Sequence, residues 1–397
     1  MFLVAQRLFQ STAMGLAAAV LLMLTPVHFI RGRLLLSPIC TLPFILIWLW
    51  TLWRFTAQPT PGRLVQAAVV LGLGMYSYLA AVVMMPIYLL VTLAVGFRRL
   101  GIAPVVKAGA AFAITLLPML AWYLTHPERN AEIVTAYQLD SGSPLARWVR
   151  LYWAFFDPSF LFVTGDASLT NSTREAGYFP IAFAALIPAG LYAVFRAMQP
   201  VGVAIALGFL TAPLVTVISG ALEMNRVQFA IPFGVLLAAY GAQLWLKNRR
   251  WTAKAAALIL LASVPWQFAS FYAGYMGPYR LASAKWFAGS AREGVRALMS
   301  HAAETTAPVY VSNKIEWVTY TWRFYAIADG RTDMIDRAIY VETPPADAPA
   351  GSAFLCMAES VHCHEQGAWF VANTVQSVDG FRSFRILGRP ATVAGQR

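Results

Sequence analysis

Residues 64–97 read LVQAAVVLGLGMYSYLAAVVMMPIYLLVTLAVGF, and whether they form one helix or two decides the topology of the chain. A membrane-crossing helix needs roughly 20 mostly apolar residues. The run is too long for one ordinary span and barely long enough for two. Gly72, Gly74 and the polar patch Tyr76-Ser77-Tyr78 favour two short helices, 64–79 and 80–97, with a turn near Leu79. Working outward, seven further apolar runs stand at 11–29, 34–53, 105–124, 179–197, 201–219, 228–246 and 255–275. The expected fold is therefore an α-helical polytopic membrane protein with about nine transmembrane helices. Splitting 64–97 also sorts the charges. Arg7, Arg54, Arg63, Arg98, Arg99, Lys107, Arg196, Lys247, Arg249, Arg250 and Lys254 then share one face with no acid, whereas a single span there would scatter the basic loops over both faces. The positive-inside rule makes that face cytoplasmic.

Composition agrees with a membrane chain. Of 397 residues 59% are hydrophobic and only 12% charged, against roughly 25% charged in an average soluble domain. This excludes a disordered chain and a soluble enzyme of ordinary make-up. The net charge of +12 does not point to nucleic acid, because the basic residues sit between apolar runs. No ordinary signal peptide precedes the first run. Three cysteines exclude a multi-disulfide scaffold and any four-cysteine metal site.

Two larger pieces fall on the outer, periplasmic side: the loop 125–178, within a membrane domain spanning 1–275, and a C-terminal domain, 276–397. The latter shows helical spacing at Ser283–Ser300 and Glu316–Ala328. Strand-like runs stand at Val309–Ser312, Ala338–Glu342, Ala353–Met357, Trp369–Ala372 and Ser383–Leu387. A small α/β domain is expected.

Several residue groups could carry chemistry. His28, Arg31 and Arg33 lie at the outer end of the first span. Guanidinium groups there could hold a phosphate, or snorkel to lipid headgroups. Tyr76 and Tyr78 are either interfacial aromatics or polar lining for a lipid-linked or sugar substrate. Arg147–Val163 reads as an interfacial amphipathic segment leading to Asp166, which could bind sugar hydroxyls or a metal, or could serve a turn. Glu223-Met224-Asn225-Arg226 could face a polar cavity or form a satisfied ion pair. Cys356 and Cys363, with His362 and His364 beside them, fit a zinc site or, in an oxidising compartment, a disulfide across a loop between strands; the disulfide is preferred. Cys40 reads as an apolar filler, and Asn171-Ser172-Thr173 as a formal glycosylation sequon. No P-loop, dinucleotide-binding, His-Glu-x-x-His or Gly-x-Ser-x-Gly motif occurs. The sequence names no cofactor and leaves a divalent metal open.

Four segments occur in an order that resembles the GT-C glycosyltransferases, in the lipid-carrier-dependent group that includes protein O-mannosyltransferases and aminoarabinose transferases. They are LFQSTAMGLAAAVLLMLTPVHFIRGRLLLSPICTLPF (8–44), LGLGMYSYLAAVVMMPIYLL (71–90), FFDPSFLFVTGDASLTNSTREAGYF (155–179) and EMNRVQFAIPFGVLLAAYG (223–241). The resemblance implies that His28 and Arg31 match the family's His-Phe-Ser-Arg segment, Tyr76 and Tyr78 its tyrosine pair, Gly165 and Asp166 its Gly-Asp, and Asn225 and Arg226 its Asn-Arg. Ile30 stands where the family has serine, Arg33 where it has an apolar residue, and Ala81-Val82 where it has Ala-Arg. The family's first outer loop, which carries an aspartate taken as the catalytic base, has no counterpart, so no catalytic residue is assigned. The expectation is an N-terminally truncated, inactive chain.

The function the resemblance implies is transfer of a sugar from a polyprenyl-phosphate carrier to a protein, lipid or glycan acceptor, on the outer face of the bacterial inner membrane. Arg31, with Arg33 or Arg226, would stabilise the leaving phosphate. The alternatives are a transporter or flippase of lipid-linked saccharides, which calls for ionisable residues inside the spans, and a noncatalytic membrane subunit.

Overall fold

The structure is a computed structural model describing residues 1–34, 37–127, 144–287, 290–303 and 305–390. The chain divides into two compact units, Met1–Tyr275 and Met276–Arg397.

The first unit is helical. Its elements are α1 (Phe2–Phe9), α2 (Thr12–Met23), α3 (Pro26–Leu34), α4 (Thr41–Ala57), α5 (Pro61–Gly74), α6 (Ala81–Leu100), α7 (Ile102–Thr115) and α8 (Leu117–Thr125). After the residues outside the description come α9 (Pro144–Ala154), α10 (Phe183–Ala197), α11 (Pro200–Thr211), α12 (Leu214–Ser219), α13 (Ala230–Leu246) and α14 (Trp251–Met276). Residues 64–97 fall in two helices, α5 and α6, around a turn at 75–80. Gly101, with φ +77°, closes α6 and lets α7 start at once.

Each apolar run overlaps a helix, yet the structure does not hold nine spans. Among the described residues five helical stretches are long and apolar enough to cross a membrane: Ser37–Ala57, Ala81–Leu100, Ile102–Thr125, Pro200–Ser219 and Trp251–Met276. The pair α2 and α3, bent by 63°, would make a sixth. Three other apolar helices fall short, at 14 residues for α5, 15 for α10 and 17 for α13. Hydropathy counts apolar residues whether or not they continue a helix, and here they often do not. Pro26 cannot donate its backbone nitrogen and holds Thr25 out of the helical region, which produces the bend. Before α10, the amides of Tyr178 and Phe179 donate to the carbonyls of Phe160 and Leu161 (3.1 and 2.7 Å), so residues counted into a span are spent on a loop contact. The chain is a helical membrane protein with fewer full-length spans than its hydropathy suggests.

Aromatic packing fills the interior. Trp48, wholly buried, stacks on Tyr88 at 4.9 Å and donates its indole N–H to Thr92 Oγ1 at 2.8 Å, giving its one polar atom a partner. α9 places Leu145, Val149 and Trp153 outward, and its Tyr152 hydroxyl donates to the Leu210 carbonyl. It is an amphipathic helix with an exposed apolar face, as the sequence suggests for 147–154, whereas Phe155, Phe160 and Leu161 of the same expected interfacial segment are buried in the core.

The second unit holds a five-stranded mixed sheet, formed by β1 (Val309–Ser312), β2 (Ala338–Val341), β3 (Ala353–Met357), β4 (Phe370–Gln376) and β5 (Arg382–Gly388) in the order β2-β1-β3-β5-β4. β1 is parallel to β2 and β3, and the rest is antiparallel. Alternation of side chains splits the core. Val309 and Val311 join Leu298 and Trp322, from the helices Ala291–Ala302 and Val318–Ala328, while Tyr310 joins Phe354, Trp369 and Leu387. Cys356 and Cys363 are disulfide-bonded within that second cluster, with Cα atoms 5.7 Å apart. The zinc alternative is displaced. Cys40, expected as an apolar filler, is exposed at the end of a short 3-10 turn.

Candidate polar site at the end of the bent helix

The turn preceding α3 brings two of its side chains, His28 and Arg31, to one face, three residues apart. Arg31 is 2% exposed, and an unpaired guanidinium at that depth would be costly. Its Nη2 donates to Asn171 Oδ1. Asn171, itself 5% exposed, donates through Nδ2 to Asp166 Oδ2 at 2.8 Å. Asp166 receives two more donors, the Ser168 amide on Oδ1 and the Met224 amide on Oδ2, both at 2.8 Å. The first closes an Asx turn; the second ties the loop to the 223–228 turn. Gly165 enters this turn at φ +72° with Met224 Cε, Ser172 Oγ and the Ala176 carbonyl crowding the position a Cβ would take, so the turn depends on glycine.

The network joins three of the sequence candidates, Arg31, Asp166 and the Asn225-Arg226 turn. Asp166, 6% exposed and accepting from three donors, organises the site. Arg226 donates to the Ser219 carbonyl and to Glu223 Oε1, both at 3.0 Å. Tyr178 donates to the Val227 carbonyl at 2.6 Å. Arg31 lies within electrostatic reach of Asp166, Tyr78, Tyr178 and Glu223.

Two candidates serve elsewhere. Tyr76 accepts from the Met119 amide and donates to the Thr115 carbonyl at 2.6 Å, bridging the α7–α8 junction. Arg33 is exposed and packs its guanidinium over Phe29 and Tyr275 at 5.9 and 5.4 Å. Tyr78 and Arg226 instead share a cavity of about 150 Å³ whose remaining walls include Val82, Val83, Val215 and Ile218.

Four side chains on the joined elements carry buried polar atoms without a protein partner: His28 Nδ1, Arg31 Nε, Asn225 Oδ1, and both amide atoms of Gln228, which is 3% exposed. Buried polar atoms in proteins are nearly always bonded, so their presence on α3 and one turn makes this cluster the candidate site. Sequence reading missed Gln228 and Tyr178, and met Asn171 only as a sequon. That asparagine is buried and bonded through both its amide oxygen and nitrogen, which removes it as a surface glycosylation acceptor. The signal for Gln228 was present: an amide two residues beyond Arg226 inside an apolar run. Among the described residues no group of three or more His, Cys, Asp or Glu is placed to hold a metal ion.

Fold and site together define a helical membrane protein with a buried arginine-centred polar cluster and a small mixed α/β unit. No family model, curated protein or solved structure matches the chain.

Proposed function

We propose that the cluster around Arg31 is the headgroup site for a polyprenyl-phosphate-linked sugar, in a GT-C-like membrane glycosyltransferase. The observation that carries this reading is the set of unpartnered buried atoms on His28, Arg31, Asn225 and Gln228. It combines a fixed cation with donors and acceptors, which is what a phosphate and a sugar ring together require. The apolar cavity headed by Tyr78 and Arg226 suits the first isoprenoid units. The eleven basic residues without an acid on the opposite face support an inner-membrane orientation with the site and the second unit outside the cytoplasm.

In the reaction an acceptor hydroxyl oxygen bonds to the anomeric carbon as the carbon–oxygen bond to phosphate breaks. The phosphate leaves as an anion stabilised by Arg31 and Arg226 and takes up the hydroxyl proton. The cluster's carboxylates are already engaged, Asp166 by three donors and Glu223 by Arg226.

Binding of farnesyl phosphate to the full-length chain in nanodiscs tests this, with farnesol as the phosphate-free control. Gln228→Leu and Arg226→Met should each weaken binding roughly tenfold or more, the worth of a hydrogen bond to a charged group. Equal binding of farnesol, or unchanged affinity in both variants, would refute the proposal.

A further inference from the structure

A second polar cavity lies at the other end of the helical unit, away from the Arg31 cluster. It measures about 620 Å³ and is lined by Leu8, Phe9 and Gln10 at the end of α1, Arg196 and Gln199 around the end of α10, and Tyr240, Gln243, Lys247 and Asn248 at the end of α13. Its floor is apolar, with Phe9 and Val194 buried. Its rim carries two cations and four amides, and no acid lines it.

The scaffold beneath is rigid. Gly190 of α10 and Gly241 of α13 sit against the Leu237 and Leu186 carbonyls of the partner helix, leaving no space for a Cβ. This close crossing of two membrane helices through small residues holds Arg196 and Lys247 at adjacent helix ends. Helix-end cations complement the macrodipole, but that accounts for each cation singly. It does not account for an acid-free ring of cations and amides around an apolar floor.

We propose that this cavity is a binding site for the phosphate headgroup of an anionic phospholipid. Arg196 and Lys247 neutralise the phosphate, Gln10, Gln199 and Asn248 meet the glycerol and ester oxygens, and the Leu8–Phe9–Leu244 floor takes the start of an acyl chain. Basic pockets between membrane helices are suited to such headgroups, with each cation contributing about a fivefold gain in affinity. The site is independent of the sugar-donor reading.

The test uses the full chain in phosphatidylcholine nanodiscs, with and without phosphatidylglycerol, reading bound phosphatidylglycerol by native mass spectrometry and its apparent affinity by titrated thermal shift. Arg196→Gln/Lys247→Gln should weaken phosphatidylglycerol roughly 25-fold, with each single variant intermediate. Arg249→Gln/Arg250→Gln, on the same basic face but outside the cavity, should change little. All four side chains are exposed, so melting in pure phosphatidylcholine should stay close to wild type; the single variants carry the test where the double variant does not fold. Three results would overturn the proposal: equal retention in the cavity variants, equal loss in the Arg249/Arg250 control, or inorganic phosphate in phosphatidylcholine nanodiscs reproducing the whole shift.

Discussion

Replacing Asp166 with asparagine removes the charge that organises the site while keeping its shape. The aspartate accepts from the Ser168 amide on one oxygen, and from Asn171 Nδ2 and the Met224 amide on the other. An asparagine can turn its carbonyl to one side only. Its NH₂ then faces at least one donor, and the positive charge of Arg31 loses its buried counter-charge. One lost hydrogen bond to a charged group is worth about 1.5–3 kcal/mol, and the through-space loss for Arg31, which reaches Asp166 only through Asn171, adds to it. Because Arg31 keeps Asn171 as an acceptor, we expect Asp166→Asn to cost about 3 kcal/mol. SDS-titrated unfolding in mixed micelles measures this. Arg31→Met/Asp166→Asn should cost less than the sum of the single variants by on the order of 1 kcal/mol. A loss below about 1 kcal/mol, or strict additivity with Arg31→Met, would show that Asp166 is not the buried anchor described here.

Gly165→Ala should destabilise the helical unit by about 2 kcal/mol or more, from the left-handed backbone and the crowded Cβ position, read in the same titration. Reducing Cys356–Cys363, or Cys356→Ser/Cys363→Ser, should cost the second unit about 2.5 kcal/mol by closing so short a loop no longer, seen as a lower denaturation midpoint. In that unit the Arg296 guanidinium, donating at 2.6 and 2.7 Å, holds the Asp329 carboxyl below its usual range. A depressed carboxylate pKa gives stability that is complete above the ordinary carboxylate range and is lost as pH falls through the lowered value. Arg296→Met should therefore flatten the acid limb of the unit's stability profile by slightly lowering stability at neutral pH, while stability below the lowered value stays little changed.

Much of the fold was legible because it rests on local pattern. The turn in 64–97 was marked by Tyr76-Ser77-Tyr78, and the strands of the second unit by short apolar runs between turn residues. Helix length was not legible. A run such as 179–197 stays apolar whether Phe179 continues a helix or bonds back to Leu161, and only the tertiary contact decides. The site shows the same division. Arg31 and Arg226 stood out as charges in short turns where charge is costly. Asn171 and Tyr178 are neutral residues whose importance comes from what they meet across 140 and 49 positions of chain, and Gln228 is a neutral residue marked only by its buried, unpartnered amide. For Tyr76 a plausible motif was present, yet its hydroxyl serves a helix junction.

The most direct test of the account is a cryo-electron microscopy map of the full-length chain with a short polyprenyl phosphate. The account predicts density for the phosphate at hydrogen-bonding distance, about 2.7–3.2 Å, from Arg31 Nε and the Gln228 amide, with the isoprenoid running past Tyr78. A map in which that cluster holds only water, or in which the phosphate lies elsewhere, would contradict it.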